Sequence, residues 1–396
     1  MMPRHATTTA MSTRIIAAMV AFSAALSLAM LAALLRHPAA LNSDFMAFWS
    51  FPRFASSHPV RQIYAAAALQ AFQKTLYPGF ASFYPYLYPP TFLLPSWWLV
   101  FCSFGTAFLG WTLAGLALFS AGTLALFPRQ RWTVLLVLLA SPACLLNGVT
   151  GETAYFTAGL LFLGFAALPT RPVLAGIAFG LLTLKPQLGV LLPVLLLARG
   201  DWTAILTATL TAAALIALSC VVFPPGMWLL WAHTLPAYQT QYFTGAGLNL
   251  NIIVTPAANL VTLGVPPAIA WIVQSLCAAI VAVLVFLTAR RAPYRLAVAA
   301  LLAGSFLAVP HAYAYDAITL PAAMALCLTA RTPLWQILLG CILYLAPLTL
   351  LTPAHQYFLY AIPEMLLFGS IVLLALRKPN SVIMAHEPNH IPATQP

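Results

Sequence analysis

Apolar runs of membrane-crossing length dominate the chain, and short polar stretches separate them. The first run, Ile15–Leu35, follows Arg4 and Arg14. It exceeds the roughly 7–15 apolar residues of a secretory signal and reaches the ~20 needed to cross a bilayer. We read it as an uncleaved first helix, with residues 1–14 as a cytoplasmic N-terminus. In the C-terminal half the runs end in turn at Arg290/Arg291/Arg295, His311–Asp316, Arg331, Thr352–His355 and Arg377/Lys378. Basic clusters occupy every second turn, which assigns those turns to the cytoplasm. Phe223–Asn251 and Pro310–Asp316 then face outside.

The longest polar interval, residues 36–90, follows the first helix as an outer loop. It holds Asp44, Arg53, Arg61, Lys74 and many aromatics. Its segments FMAFWSFPRFA and LQAFQKTLY predict helices lying on the membrane surface. The middle of the chain admits two readings. Thr91–Phe127 is either one crossing with a surface segment or two short crossings. Val173–Ala198, interrupted at Lys185-Pro186, is either one kinked helix or two half-length helices meeting on the outer side. Charge counting puts Arg129, Arg131 and Arg171 inside and Gly151-Glu152 outside, whereas segment length favours the reverse. Both readings total about twelve spans with both termini inside. The expected fold is therefore all-α: a polytopic membrane protein of about 12 transmembrane helices. Residues 15–376 form one transmembrane domain, and 377–396 a polar, Pro-rich, disordered cytoplasmic tail. No repeat of 20–50 residues suggests a solenoid.

Composition narrows the class further. Of 396 residues, 62% are hydrophobic and 6% charged, so the chain cannot clothe a soluble surface or remain disordered. The net charge of +11 comes from single basic residues between apolar runs, as the positive-inside rule distributes them, and nucleic-acid binding is set aside. Cys102, Cys144, Cys220, Cys277, Cys327 and Cys341 lie in apolar stretches without CxxC spacing. They read as small core residues rather than zinc ligands or disulfides.

The six acidic residues can be weighed one by one. Glu387 lies in the tail. Asp201 follows Arg199 at a helix end, where a surface salt bridge or a cap accounts for it. Glu364, after Pro363, is either a cap or an intramembrane partner. Glu152, in NGVTGET, belongs either to a plain loop or to one facing substrate. Asp44 stands just beyond the outer end of the first helix, among aromatics. It is either the N-cap of a surface helix or a carboxylate whose interfacial setting raises its pKa and makes it a base. Asp316 ends PHAYAYD and either caps the next helix or joins His311, Tyr313 and Tyr315 in a polar–aromatic cluster on the same side as Asp44. Such a cluster suits a sugar or phosphate better than lipid. Lys185 lies deep in LLTLKPQLGVLLP. A buried ammonium is costly unless paired or snorkelling, and the break at Pro186-Gln187 favours an anion site.

The order of these motifs resembles glycosyltransferase family 87 of the GT-C superfamily. It runs Asp44-Phe45 with Phe48-Trp49, Tyr88-Pro89-Pro90, a Gly-Glu loop, Lys185-Pro186-Gln187 with Gly200-Asp201-Trp202, and Pro310–Asp316. The similarity extends over residues 10–376. The family includes polyprenyl-phosphate-mannose-dependent α-1,2-mannosyltransferases. The resemblance implies a metal-independent, inverting sugar transfer on the outer face of the cytoplasmic membrane, with no cofactor. It implies a polyprenyl-phosphate sugar donor and a lipid or glycan acceptor. It also implies that Asp44 is the catalytic base. The family's Gly-Gln loop is here Gly151-Glu152, a charge where an amide is usual. Asn249-Leu250-Asn251 loosely matches an Asn-containing stretch of the family.

The chemistry is coherent on its own terms. Attack by a hydroxyl needs one base, and a departing phosphodiester needs only a cation. Lys185, Arg53 or a protonated His311 could supply that cation. Gln187, Tyr315, Asp316 and Glu152 complete the candidate donor-binding set. No DxD pair is present, so no divalent metal is expected. The competing classes are a secondary transporter, for which the break at Lys185-Pro186 speaks, and a flippase for lipid-linked glycans.

Overall fold

The computed structural model describes residues 14, 16–26, 29, 44–76, 83–243, 253–328, 332–351 and 359–377. Asn249–Asn251, Glu387 with most of the tail, Arg4, Arg331, Thr352–His355 and Lys378 lie outside them. The described residues are almost wholly helical, and the pairing of Ile253 with Tyr313 is an isolated bridge rather than a strand.

In chain order the helices are α1 (Ile16–Leu26), α2 (Phe45–Ser57), α3 (Ala66–Leu76) and the short α4 (Leu93–Ser96), then α5 (Phe104–Leu126) and α6 (Arg131–Leu139). There follow α7 (Pro142–Thr150), α8 (Ala154–Ala167), α9 (Pro172–Leu181), α10 (Leu192–Arg199), α11 (Trp202–Val222) and α12 (Met227–Phe243). The last are α13 (Pro256–Thr262), α14 (Pro267–Arg291), α15 (Tyr294–Ala308), α16 (Leu320–Cys327), α17 (Leu334–Leu345) and α18 (Ala361–Leu376). Among the described residues, α5, α11 and α14 are long and apolar enough to cross a membrane. The pair α6–α7, bent by 61°, makes a fourth if counted as one span. The remaining apolar helical segments run to 10–17 residues.

Both open readings of the middle resolve. Thr91–Phe127 is one long helix, α5, preceded by short helical turns over Pro90–Phe101. Val173–Ala198 is two half-length helices, α9 and α10, joined by short helical turns over Leu182–Leu184 and Pro186–Gly189 that break at Lys185. Pro186 stops the helical turn that follows α9, and Lys185 before it takes φ −139° and ψ 74°.

Helix α15 is the axis of the bundle. Every residue from Ala297 to Ala308 is buried, so it is apolar on all faces, as a fully enclosed helix must be. The long helices instead expose apolar residues such as Leu206, Leu210, Ile272, Leu276 and Ile280, the surface that lipid covers. Helix contacts use small residues. A Cβ on Gly176 or Gly180 of α9 would come within 2.6 Å of the Ala204 carbonyl or 2.7 Å of the Ala208 carbonyl of α11. The two helices can therefore lie backbone against backbone.

Arg199 and Arg290 meet at one end of the bundle. Arg290 donates to the Ala198 carbonyl, Arg199 lies over the Tyr294 ring, and the Tyr294 hydroxyl reaches the Phe165 carbonyl. The Asp44, Glu152 and Asp316 loops lie at the other end. Helices α2 and α3 form where the sequence predicts them, but α2 does not float on a surface. Phe45, Phe48, Phe51 and Phe54 are all buried, packed with Tyr86, Phe92 and Trp111.

Candidate active site

Four charged side chains from four distant segments converge. Lys185, at the apex between α9 and α10, donates to Asp316 Oδ1 at 2.7 Å, with the two residues 4% and 1% exposed. Glu152, 7% exposed, and half-buried Asp44 lie within electrostatic reach of this pair. The sequence gives no hint of the partnership, since 131 positions separate Lys185 from Asp316.

Each group is held by its own local device. Gly151 ends α7 with φ +69°, a conformation that favours glycine, and its missing Cβ leaves room for Phe45. The Gly151 carbonyl accepts from Trp111 Nε1 at 3.0 Å, and Asn147 Oδ1 accepts from the Ala154 amide at 2.9 Å. These bonds fix the Glu152 turn. Trp111 is seven residues into α5, so the turn sits about 10 Å below that helix's end. The site is thus recessed between the long helices.

Asp316 opens a short helical turn, and its Oδ2 accepts from the Tyr313 amide at 3.2 Å. It closes its own loop and does not cap α16. That loop is tied down by Val254 N donating to the Ala312 carbonyl at 2.9 Å and Thr255 Oγ1 donating to the Pro310 carbonyl at 3.1 Å. Beneath it, buried Gln274 bridges two segments. Its Oε1 accepts from Ala257 N at 3.1 Å and its Nε2 donates to the Leu307 carbonyl at 2.9 Å.

Asp44 precedes α2 but makes no side-chain cap bond to it, so the N-cap reading is not realised. Its carboxylate takes a hydrogen bond from Tyr84. Burial raises its pKa above the ordinary carboxylate range, and the Tyr84 bond and the Lys185 charge offset part of that rise. Tyr84 is held in turn by buried Gln73, whose amide donates to the Tyr84 carbonyl at 2.9 Å and accepts from its amide at 3.1 Å. One glutamine side chain mimics a strand partner.

Three carboxyls against one ammonium cannot all remain charged in a recessed site. Loss of hydration pushes Glu152 up to about 8, against the pull of Lys185 and with repulsion from Asp44 and Asp316 adding to the rise. Burial thus favours the protonated, neutral form of Glu152, which donates and accepts hydrogen bonds much as an amide does.

Other expected site residues divide. The Tyr315 ring lies 5.2 Å from Lys185 Nζ and stacks on Tyr313. Half-buried Gln187 sits in the turn beside Lys185. His311 is in the Asp316 loop, but burial lowers its pKa, so it is neutral at pH 7 rather than the cation considered from sequence. Arg53 stands apart. Its guanidinium stacks 4.0 Å over Trp49 and donates to the Cys102 carbonyl, on the outer flank of α2. That places the guanidinium away from the cluster and leaves Lys185 as its buried cation. Away from the site, Asp201 pairs with Arg199 at 3.6 Å, and the Glu364 carboxyl is fully buried without a hydrogen bond, so it is no cap. The sequence reading also missed Gln73, Tyr84, Asn147 and Gln274. Their only signal was an isolated polar residue in apolar surroundings.

A cleft of about 140 Å³ lies beside this cluster. Trp98, Trp111, Phe156, Leu181 and Leu184 wall it, Thr153 and Thr157 supply polar edges, and Lys185 is its one charged residue.

The comparison with known families gives the class of this helical bundle as a glycosyltransferase. The model of glycosyltransferase family 87 matches residues 86–310, more than half of the chain, and the protein belongs to that family. The match includes Glu152, Lys185 and Gln187, while Asp44 and Asp316 lie outside it. No curated protein and no solved structure matches.

Proposed function

We propose that the protein moves a hexose, with mannose the first to test, from a polyprenyl-phosphate donor to a lipid or glycan acceptor. The proposed setting is the outer face of the cytoplasmic membrane, with about twelve passes, many made by short or broken helices. The basic end of the bundle faces the cytoplasm and the recessed site faces outward, as the positive-inside rule orients them.

The observation that carries this reading is the apolar cleft ending on Lys185. A nucleotide donor would need polar walls, whereas an isoprenoid phosphate needs an apolar slot with a cation at its end. Lys185 spends one of its donors on Asp316 and keeps two for phosphate oxygens. Asp44 is the proposed base. It takes the proton from the acceptor hydroxyl as that oxygen bonds the anomeric carbon and the carbon–oxygen bond to phosphate breaks. The electron pair leaves on the polyprenyl phosphate, beside Lys185. Attack opposite the leaving group inverts the anomeric centre. Neutral Glu152 donates a hydrogen bond to a sugar hydroxyl or a phosphate oxygen.

The test incubates purified protein with radiolabelled polyprenyl-phosphate mannose and a membrane-lipid extract, with Asp44→Ala alongside. Label entering a new glycolipid with the unaltered protein alone supports both donor and base. Transfer from a nucleotide sugar instead would overturn the donor assignment.

A further inference from the structure

A second, larger cavity of about 990 Å³ lies away from the charged cluster, between α1, α6, α16 and α17. None of Asp44, Glu152, Lys185 or Asp316 lines it. Its wall is apolar, with Val20 and Ala21 on α1, Leu138 on α6, Met324 on α16, and Ile337 and Cys341 on α17. Its polar side chains are unevenly placed. Gln130, Thr133 and Thr332 gather at the end where α6 and α17 begin. At the other end the Tyr344 hydroxyl closes on the Val137 carbonyl at 2.8 Å.

Two features specify an occupant. The first is depth. From Gln130 to Leu138 the groove follows α6 for about 12 Å, close to one leaflet of a ~30 Å hydrocarbon core. The second is charge. Arg129 and Arg131 flank Gln130, Arg14 lies just before α1, and all three are exposed. None has an ion-pair partner among the described residues. An apolar slot one leaflet deep, with unpaired cations at its mouth, complements an acyl chain joined to an anionic headgroup.

We propose that this groove is a binding site for an anionic phospholipid of the leaflet at the basic end of the bundle. Its acyl chains lie against α1, α6, α16 and α17, and its phosphate meets Gln130, Thr133 and Thr332 under the field of Arg129, Arg131 and Arg14. The lipid fastens α1 to the bundle, where Ser23 Oγ donates to the Ala140 carbonyl at 2.6 Å. It also steadies the bent α6–α7 pair, which leads to the Glu152 turn.

The experiment uses the full chain, delipidated in neutral detergent and titrated with dioleoyl phosphatidylglycerol or dioleoyl phosphatidylcholine. Native mass spectrometry counts bound lipid. Maleimide alkylation of Cys341, read peptide by peptide, reports occupancy of the groove. The expected result is one tightly held phosphatidylglycerol and at least about tenfold slower Cys341 alkylation with it than with phosphatidylcholine, since each arginine near the surface is worth about fivefold. Arg129→Gln with Arg131→Gln should weaken phosphatidylglycerol about 25-fold on the same scale and leave phosphatidylcholine unchanged. Ala21→Trp, at an exposed position facing the open groove, should abolish Cys341 protection while circular dichroism stays native. Equal binding of the two lipids would overturn the proposal. So would displacement of phosphatidylglycerol by polyprenyl phosphate.

Discussion

Lys185 Nζ lies 2.7 Å from Asp316 Oδ1, and each residue depends on the other to be buried at all. Breaking a buried pair by removing one partner costs about 3–5 kcal/mol, while replacing both with apolar groups is often neutral. Lys185→Met alone should therefore destabilise the protein strongly, and Lys185→Met with Asp316→Leu should recover much of the melting temperature. Transfer should be lost in both. A double variant that regains stability and also regains transfer would remove Lys185 from the chemistry.

Asp44 and Tyr84 form a second testable relationship. Asp44→Asn should lower the rate by about 10²–10⁴-fold, the usual contribution of a positioned base, with expression retained. The Tyr84 bond holds the Asp44 pKa down. Tyr84→Phe should therefore raise that pKa further and move the acidic limb of the pH–rate profile to higher pH. An unmoved limb in Tyr84→Phe would show that another group titrates there.

Glu152 is expected to work protonated. Glu152→Gln should keep substantial activity at pH 7 and resist the alkaline decline of the unaltered protein, because the amide cannot ionise near pH 8. Stability follows the same sign. A carboxyl raised from 4.5 to about 8 holds its proton more tightly in the folded state than in the unfolded chain. Its contribution is full below the ordinary carboxylate range and is lost as pH rises through about 8. Melting temperatures between pH 5 and 9 should therefore fall more steeply for the unaltered protein than for Glu152→Gln. Parallel curves would place the ionisation elsewhere.

Gln274 touches none of the charged cluster but holds the segments on either side of the Asp316 loop. Gln274→Leu leaves the Ala257 amide and the Leu307 carbonyl unpaired, at about 1–3 kcal/mol each. The expected result is a lower melting temperature together with a higher KM for the proposed lipid-linked donor, and Gln274→Glu should rescue KM in part through the Ala257 amide. A fall in stability with kinetics unchanged at permissive temperature would limit Gln274 to a structural role.

Much of this architecture was legible in the chain. The apolar runs demanded a helical membrane bundle, because backbone polar groups in lipid must be satisfied within the segment itself. The break at Lys185-Pro186 marked the apex between α9 and α10. Asp44, Glu152, Lys185 and Asp316 stood out because charge is so scarce here that each isolated polar residue needs a reason to exist.

What pattern could not supply was partnership. Periodicity places a side chain on its own helix but says nothing about a carboxylate 131 positions away. The pairing of Lys185 with Asp316, the withdrawal of Arg53 to Trp49, the neutral state of His311 and the suppressed charge of Glu152 all depend on which helices pack together. They depend equally on how much water is left between those helices. The sequence by itself determined the class of fold and singled out the scarce charged residues. Tertiary structure decided which became a pair and which is pushed by burial towards its neutral form. Hydration and Coulomb energy are set by distance in space, and the chain encodes that distance only through its packing.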